Sequence, residues 1–140
     1  MSSIPQVTRQ RLMEQARYRC GYCQAQQQYL NLTLEIEHIQ PQAKGGTDEE
    51  TNLWIACRAC NSHKGEQTHA LDPITNRLIA LFNPRLQNWH EHFTWSDDKT
   101  LIIGVTPCGR ATIEALQMNH KLAVEVRGHW VHVGWHPPKD

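Results

Sequence analysis

A chain of 140 residues and 16.2 kDa is long enough for one domain with a buried core, and 39% hydrophobic with 20% charged residues is the composition of a soluble globular protein. No apolar run approaches the length that spans a bilayer, and Met1-Ser2-Ser3-Ile4-Pro5 lacks the charged and apolar regions of a signal peptide, so a cytoplasmic protein with no membrane partner is expected. Fourteen basic and fourteen acidic residues give zero formal net charge, so composition alone makes no electrostatic case for a nucleic-acid partner, although nine histidines hold positive charge in reserve. In a reducing compartment, paired cysteines hold metal more often than they form disulfides. Four of the five cysteines are paired, and Cys108 is left over as a small buried hydrophobe.

In chain order, Pro5 to Arg19 reads as a helix capped by Thr8, with Leu12, Met13 and Ala16 on its apolar stripe. Its arginines 9, 11, 17 and 19 make it the most basic segment. Cys20 to Cys23 forms a first knuckle with Gly21 at its tight turn, and Gln24 to Gln28 reads as a loop. Leu30 to Ile39 alternates, which predicts a half-buried strand with Leu32, Leu34 and Ile36 inward and Thr33, Glu35 and Glu37 outward. Pro41 stops it, Lys44-Gly45-Gly46 gives a flexible loop, and Thr47 to Glu50 reads as a capped helical turn. Leu53 to Ala56 is a short strand into the second knuckle, Cys57 to Cys60, and a helix is expected from Asn61 to about His69.

Beyond residue 70, Asp72 to Asn76 reads as a turn before apolar Leu78 to Phe82. Phe93-Thr94-Trp95 and Leu101-Ile102-Ile103 flank Ser96 to Lys99 as a hairpin. Thr106-Pro107 opens a helix to Met118, and Leu122, Val126, Trp130 and Val133 recur at helical spacing. No repeat or linker marks a second domain, so a single domain over residues 1–140 is expected, with a core at about 10–70 and a C-terminal α/β extension at about 71–140.

The chemistry concentrates between Cys20 and Lys64. Cys20, Cys23, Cys57 and Cys60 suit a closed tetrahedral Zn2+ cage, whose role is structural because no coordination position is left for water. Glu37 and His38 are a different pair: an imidazole is suited to take a proton from water, while an adjacent carboxylate holds a divalent cation. Asn61, directly after the last cysteine, offers a neutral oxygen to the same cation. Asn52 is suited to bind loop backbone through its amide and so to fix the imidazole's direction. Lys44, Arg58, His63 and Lys64 are candidate phosphate contacts, with Arg85 and Arg110 as weaker ones.

Taken together, Cys20-x-x-Cys23, Glu37-His38-Ile39, Gly45-Gly46, Asn52-Leu53 and Cys57-x-x-Cys60-Asn61-x-x-Lys64 resemble the zinc-knuckle branch of the HNH endonucleases over residues 10–68. The resemblance implies an α+β fold with a ββα-metal core clamped by the four-cysteine zinc site, cutting phosphodiester bonds with double-stranded DNA as partner. It implies His38 as general base, Glu37 as acidic ligand of a catalytic Mg2+, Mn2+ or other divalent cation, Asn52 as the central loop-holding asparagine and Asn61 as the last metal ligand. Glu37 stands where aspartate is common, and Asn61 where histidine is also found. Two other functions are compatible with the sequence: a non-catalytic zinc-stabilised module that binds nucleic acid or protein, and an RNA-directed nuclease. A second likeness, Leu81 to Arg85 and Gly134 to Pro138, is to the C-terminal extension of some small bacterial HNH proteins and carries no assigned activity.

Overall fold

A computed structural model of the chain describes residues 4–140. Met1 to Ser3, part of the segment read for a signal peptide, lie outside the described residues. Among the described residues the fold is mixed α+β, with three two-stranded antiparallel sheets among short helices, in two compact units. One unit holds the chain up to Thr68 together with Asn83–Leu86, and the other holds His69–Phe82 with Gln87–Asp140. No helix among the described residues is long and apolar enough to cross a membrane.

The first unit begins with α1 (Gln6–Gln15), which buries Leu12 and Met13. Pro5, with its fixed φ of −58°, takes the N-cap position, so the helix starts earlier than the Thr8 cap predicts and Thr8 lies inside it. It also ends earlier, because Arg17 and Tyr18 both turn into the left-handed region and send the chain back towards the first knuckle. Arg11 on this helix grips Glu50, with Nη2 2.8 Å from Oε1 and Nε 3.2 Å from Oε2.

Strand β1 (Glu35–His38) pairs with β2 (Leu53–Ala56), with Glu35 opposite Ala56 and His38 opposite Leu53. The strand is shorter than the alternation from Leu30 predicts because β2 offers only four partners. Upstream of it, the Gln27 side chain replaces a strand, donating to Leu32 O at 3.0 Å and accepting from Leu34 N at 2.7 Å. Gln27 therefore does more than occupy a loop. The inward face also differs from the prediction: Leu34 and Glu37 are buried while Leu32 is exposed. Helix α2 (Arg58–Lys64) follows β2 directly and stops at Gly65, whose φ of 51° favours glycine, so His69 falls outside the helix. The helical turn expected over Thr47 to Glu50 lies later, as a 3-10 turn at Glu50–Asn52. Asn83–Leu86 completes this unit, with Arg85 5.1 Å over the Trp54 ring and its Nε donating to Leu53 O.

In the second unit, β3 (His69–Leu71) and β4 (Leu78–Ala80) form a hairpin around the Asp72 turn. Asp72 is fully buried and held by Arg110 Nε and Nη2 at 2.8 and 2.9 Å. That contact removes Arg110 from the candidate phosphate ligands. After the short helix α3 (Trp89–His92), β5 (Phe93–Trp95) and β6 (Ile102–Gly104) form the predicted hairpin, with Trp89, Phe93 and Phe82 packed ring to ring. Helix α4 (Pro107–Leu116) is capped by Thr106 Oγ1, which accepts from Gly109 N at 3.0 Å. Helix α5 (Lys121–His132) confirms the helical reading of the Val-rich segment, but its inward residue is Arg127 rather than Leu122. Arg127 binds Met118 O just past the end of α4, the Asn119 side chain, and Thr100 O in the turn between β5 and β6. Cys108 is half-buried rather than enclosed.

Two groups make the second unit acid-sensitive. Burial, reinforced by the charge of Arg127, pulls the imidazole of His136 down to about 4, and the Arg110 guanidinium holds the Asp72 carboxyl well below the usual carboxylate range. Between about 6.5, where an unfolded histidine titrates, and about 4, the unfolded chain binds the proton that native His136 refuses. Stability contributed by His136 is therefore present above that window and declines through it, while the Asp72 contribution declines below it. Tryptophan-monitored urea melts from pH 7.5 to 3.5 are expected to show falling midpoints below pH 6.5, and His136→Phe to flatten the part between 6.5 and 4.

Candidate metal centre and adjoining side chains

The two knuckles meet because β2 carries the second into the first. Gly21 N donates to Ile55 O at 2.9 Å, and Cys20 N donates to Ala25 O at 2.9 Å, which closes the first turn. Gly21 is needed here for close approach: a Cβ would lie 2.4 Å from Trp54 Cδ1 and 2.7 Å from Pro84 Cβ. The Sγ atoms of Cys20, Cys23, Cys57 and Cys60 all lie within 4.8 Å of one another, and Cys23 and Cys57 are 3.7 Å apart. Sulfurs around a tetrahedral zinc with bonds of about 2.3 Å stand about 3.8 Å apart, so the cluster fits a structural zinc site.

Backbone N–H groups also point at the sulfurs, as thiolates require. Tyr22 N and Cys23 N donate to Cys20 Sγ at 3.4 and 3.5 Å, and Cys60 N donates to Cys57 Sγ at 3.4 Å. Neighbouring thiols push Cys57 down by hydrogen bonding to its sulfur, while burial pushes Cys20 up. Four thiolates this close are stable only around a cation, which is what a zinc ion supplies.

Next to this centre lies a buried ion pair that the sequence did not reveal. Glu37 is 1% exposed and Lys64 is 3% exposed, with Lys64 Nζ 2.6 Å from Glu37 Oε1. Tyr22 Oη donates to Glu37 Oε2 at 2.9 Å, and burial together with the Glu37 charge pushes that phenol well above its usual value. Lys64 Nζ also donates to His38 O and Ile39 O, both at 3.0 Å. Two expectations change as a result. Lys64 is turned into the protein and is no surface phosphate contact, and Glu37 has both carboxylate oxygens engaged instead of facing Asn61.

The carboxylate that meets Asn61 is Glu35, two residues earlier on the same strand, with Asn61 Nδ2 donating to Glu35 Oε1 at 2.9 Å. His38 Nε2 lies 2.7 Å from Asp48 Oδ1, and both side chains are partly exposed. Neither Glu35 nor Asp48 stood out in the sequence. Period 2 placing Glu35 beside Glu37 was a usable signal for the former, whereas the loop that delivers Asp48 has no periodicity to read.

Asn52 holds that loop. Its Oδ1 accepts from Gln40 N at 2.9 Å, and its Nδ2 donates to Gln40 O at 3.1 Å and Thr47 O at 2.8 Å. Gly46 lies against Gln40, where a Cβ would come within 1.7 Å of the carbonyl oxygen, so the turn is packed at Gly46, while Gly45 is open and uses its left-handed φ of 87°. Lys44 and Arg58 are exposed, and His63 is half-buried on α2. Arg85 lies against Trp54 and Leu53 O, and its Nη2 is buried.

For a second, oxygen-ligated cation, hard ions such as Mg2+ need only one or two protein oxygens, with water and phosphate completing the shell. The donor chemistry of Glu35 with Asn61 fits that requirement. Glu37, already bound to an ammonium and a phenol, does not.

Comparison with known protein families gives a match over part of the chain. The model of the family described as HNH endonuclease matches residues 20–67, a stretch that encloses both knuckles, His38, Asn52 and Asn61. No curated protein and no solved structure matches the chain.

Two outcomes test the centre. Metal analysis of the purified chain is expected to give one zinc per molecule, unchanged in Cys108→Ala, while Cys57→Ala, which loses a ligand and the cap of α2 together, gives no cooperative melt. Removing one partner of a buried ion pair costs about 3–5 kcal/mol, so Lys64→Met is expected to lower the urea-unfolding free energy by that amount with zinc retained.

Proposed function

We propose that the HNH domain at residues 20–67 is the catalytic unit of a divalent-cation-dependent endonuclease acting on double-stranded DNA, with His38 as the general base. The observation that supports this most is the combination of His38 with a loop braced by Asn52. A zinc clamp alone requires neither, whereas a base needs its imidazole fixed at a partly exposed position. In this reading water gives its proton to His38, its oxygen attacks phosphorus, and the bond to the leaving ester oxygen breaks. That oxygen then takes a proton, and the products are a phosphate monoester and a hydroxyl.

Glu35 and Asn61 would hold the catalytic cation, which would neutralise charge that develops on the phosphate. Glu37 keeps Lys64 in place and so acts on the end of β1 from inside. Lys44, Arg58 and His63 supply contacts to the flanking phosphates. The zinc site holds α2, and with it Asn61, against β1. Thiols dedicated to metal and free of disulfides fit the cytoplasm as the place of action.

The experiment is relaxation of supercoiled plasmid by the zinc-loaded chain with Mg2+ or Mn2+, alongside structured RNA. Wild type is expected to nick the plasmid and spare the RNA. His38→Ala should lose at least about 100-fold in rate, the scale of general-base catalysis, with zinc content unchanged. Glu35→Gln should lose activity at an unchanged melting temperature, whereas Glu37→Gln should lose stability. Cleavage of RNA alone would replace the DNA substrate, and an inactive, folded, zinc-bound wild type would make the domain a binding module.

A further inference from the structure

The carboxylate facing His38 is not part of the paired-cysteine, histidine and asparagine pattern, yet its placement is over-determined. His38 Nε2 and Asp48 Oδ1 stand 2.7 Å apart, a short contact for a nitrogen and a carboxylate oxygen. The two residues lie on opposite limbs of one loop, and Asn52 ties both limbs. One tie is at Gln40, two residues after His38, and the other is at Thr47, the residue before Asp48. Asn52 O adds a third, accepting from Ile39 N at 2.9 Å. Gln42 Nε2 donates to Asp48 Oδ1 at 3.3 Å, and Gly46 closes the loop against Gln40 O. A loop held only to present a histidine would need no carboxylate at this position.

We propose that Asp48 is the positioning residue of His38: it holds the neutral imidazole in the tautomer with hydrogen on Nε2, which leaves Nδ1 as the nitrogen that takes the proton from water. A neutral imidazole has one donor and one acceptor nitrogen, and the nitrogen that faces a carboxylate must be the donor. The assignment of Nδ1 as base rests on the nuclease reading above. The tautomer assignment does not, and the two are read out separately.

The test is long-range 1H–15N correlation of the His38 ring in the zinc-loaded full chain, in wild type, Asp48→Ala and Asp48→Asn, followed by plasmid nicking with the same samples. Wild type is expected to show the Nε2–H tautomer and Asp48→Ala a mixture, while Asp48→Asn, whose amide oxygen still accepts, keeps the wild-type pattern. In nicking, Asp48→Ala should lower kcat by about 10- to 100-fold, as loss of a partner behind a reactive group does, with KM within about twofold. Asp48→Asn should recover most of the loss, and Asp48→Ala should add nothing in a His38→Ala background. An unchanged tautomer in Asp48→Ala overturns the proposal, as does a loss confined to KM. An Asp48-dependent tautomer in a wild type that cuts nothing supports the placement and refutes the nuclease reading instead.

Discussion

Cys57 belongs to two structures at once, and the first unit depends on that sharing. Its sulfur stands 3.7 Å from Cys23, inside the four-sulfur cluster, and also accepts the N–H of Cys60 as the cap of α2. The ligand set therefore fixes where the helix begins and which way its first turn faces. Asn61 and Lys64 follow on that helix at set angles, one reaching Glu35 and the other Glu37. A seven-residue helix has too few hydrogen bonds to be stable by itself, so the metal centre and the ion pair do for α2 what length does for longer helices.

The Lys64–Glu37 pair shows how a buried polar contact secures a short strand. Strand β1 has four residues and one hydrogen-bonded neighbour. Its end is secured from the other side by an ammonium that spends its donors on Glu37 Oε1, His38 O and Ile39 O. Each donation satisfies an acceptor near the last residues of the strand, where ladder bonds run out. The cost is a charge withdrawn from the surface, where phosphate would meet it.

What the sequence made legible follows from how local each signal is. The cysteine pairs, the Phe93–Gly104 hairpin and the Thr106-Pro107 helix start are short-range patterns, and the HNH resemblance joins residues whose spacing is fixed by motif. Side-chain direction was the weak point. Alternation along Leu30 to Ile39 assigned Glu37 outward as a charged residue, and only a lysine 27 positions later makes its burial favourable. The same reasoning assigned Lys64 to phosphate, because an exposed lysine is the default for that residue type. Gln27 is illegible in the sequence because a side chain imitating a strand leaves no periodic trace. Glu35 and Asp48 depend on strand register and on a loop folded over Asn52, and neither is encoded by any residue and its immediate neighbours.

The placement of charge bears directly on how this domain meets a polyanion. Residues 20–67 contain three basic side chains, Lys44, Arg58 and Lys64, against six acidic ones, Glu35, Glu37, Asp48, Glu49, Glu50 and Glu66. Lys64 is committed to Glu37, and Glu50 is met by Arg11 from outside the domain. A zinc ion among four thiolates leaves a further two negative charges on the cluster. The rest of the same compact unit adds Arg9, Arg11, Arg17, Arg19 and Arg85 against Glu14 alone, which offsets that negative balance for any group within a Debye length of about 8–10 Å. For the function proposed, a cation beside Glu35 and Asn61 would supply positive charge at the cut itself, with Lys44 and Arg58 at the edge. The oxygens of Glu35 and Asn61 themselves repel phosphate, so in that reading the ion they would hold serves both its approach and its reaction.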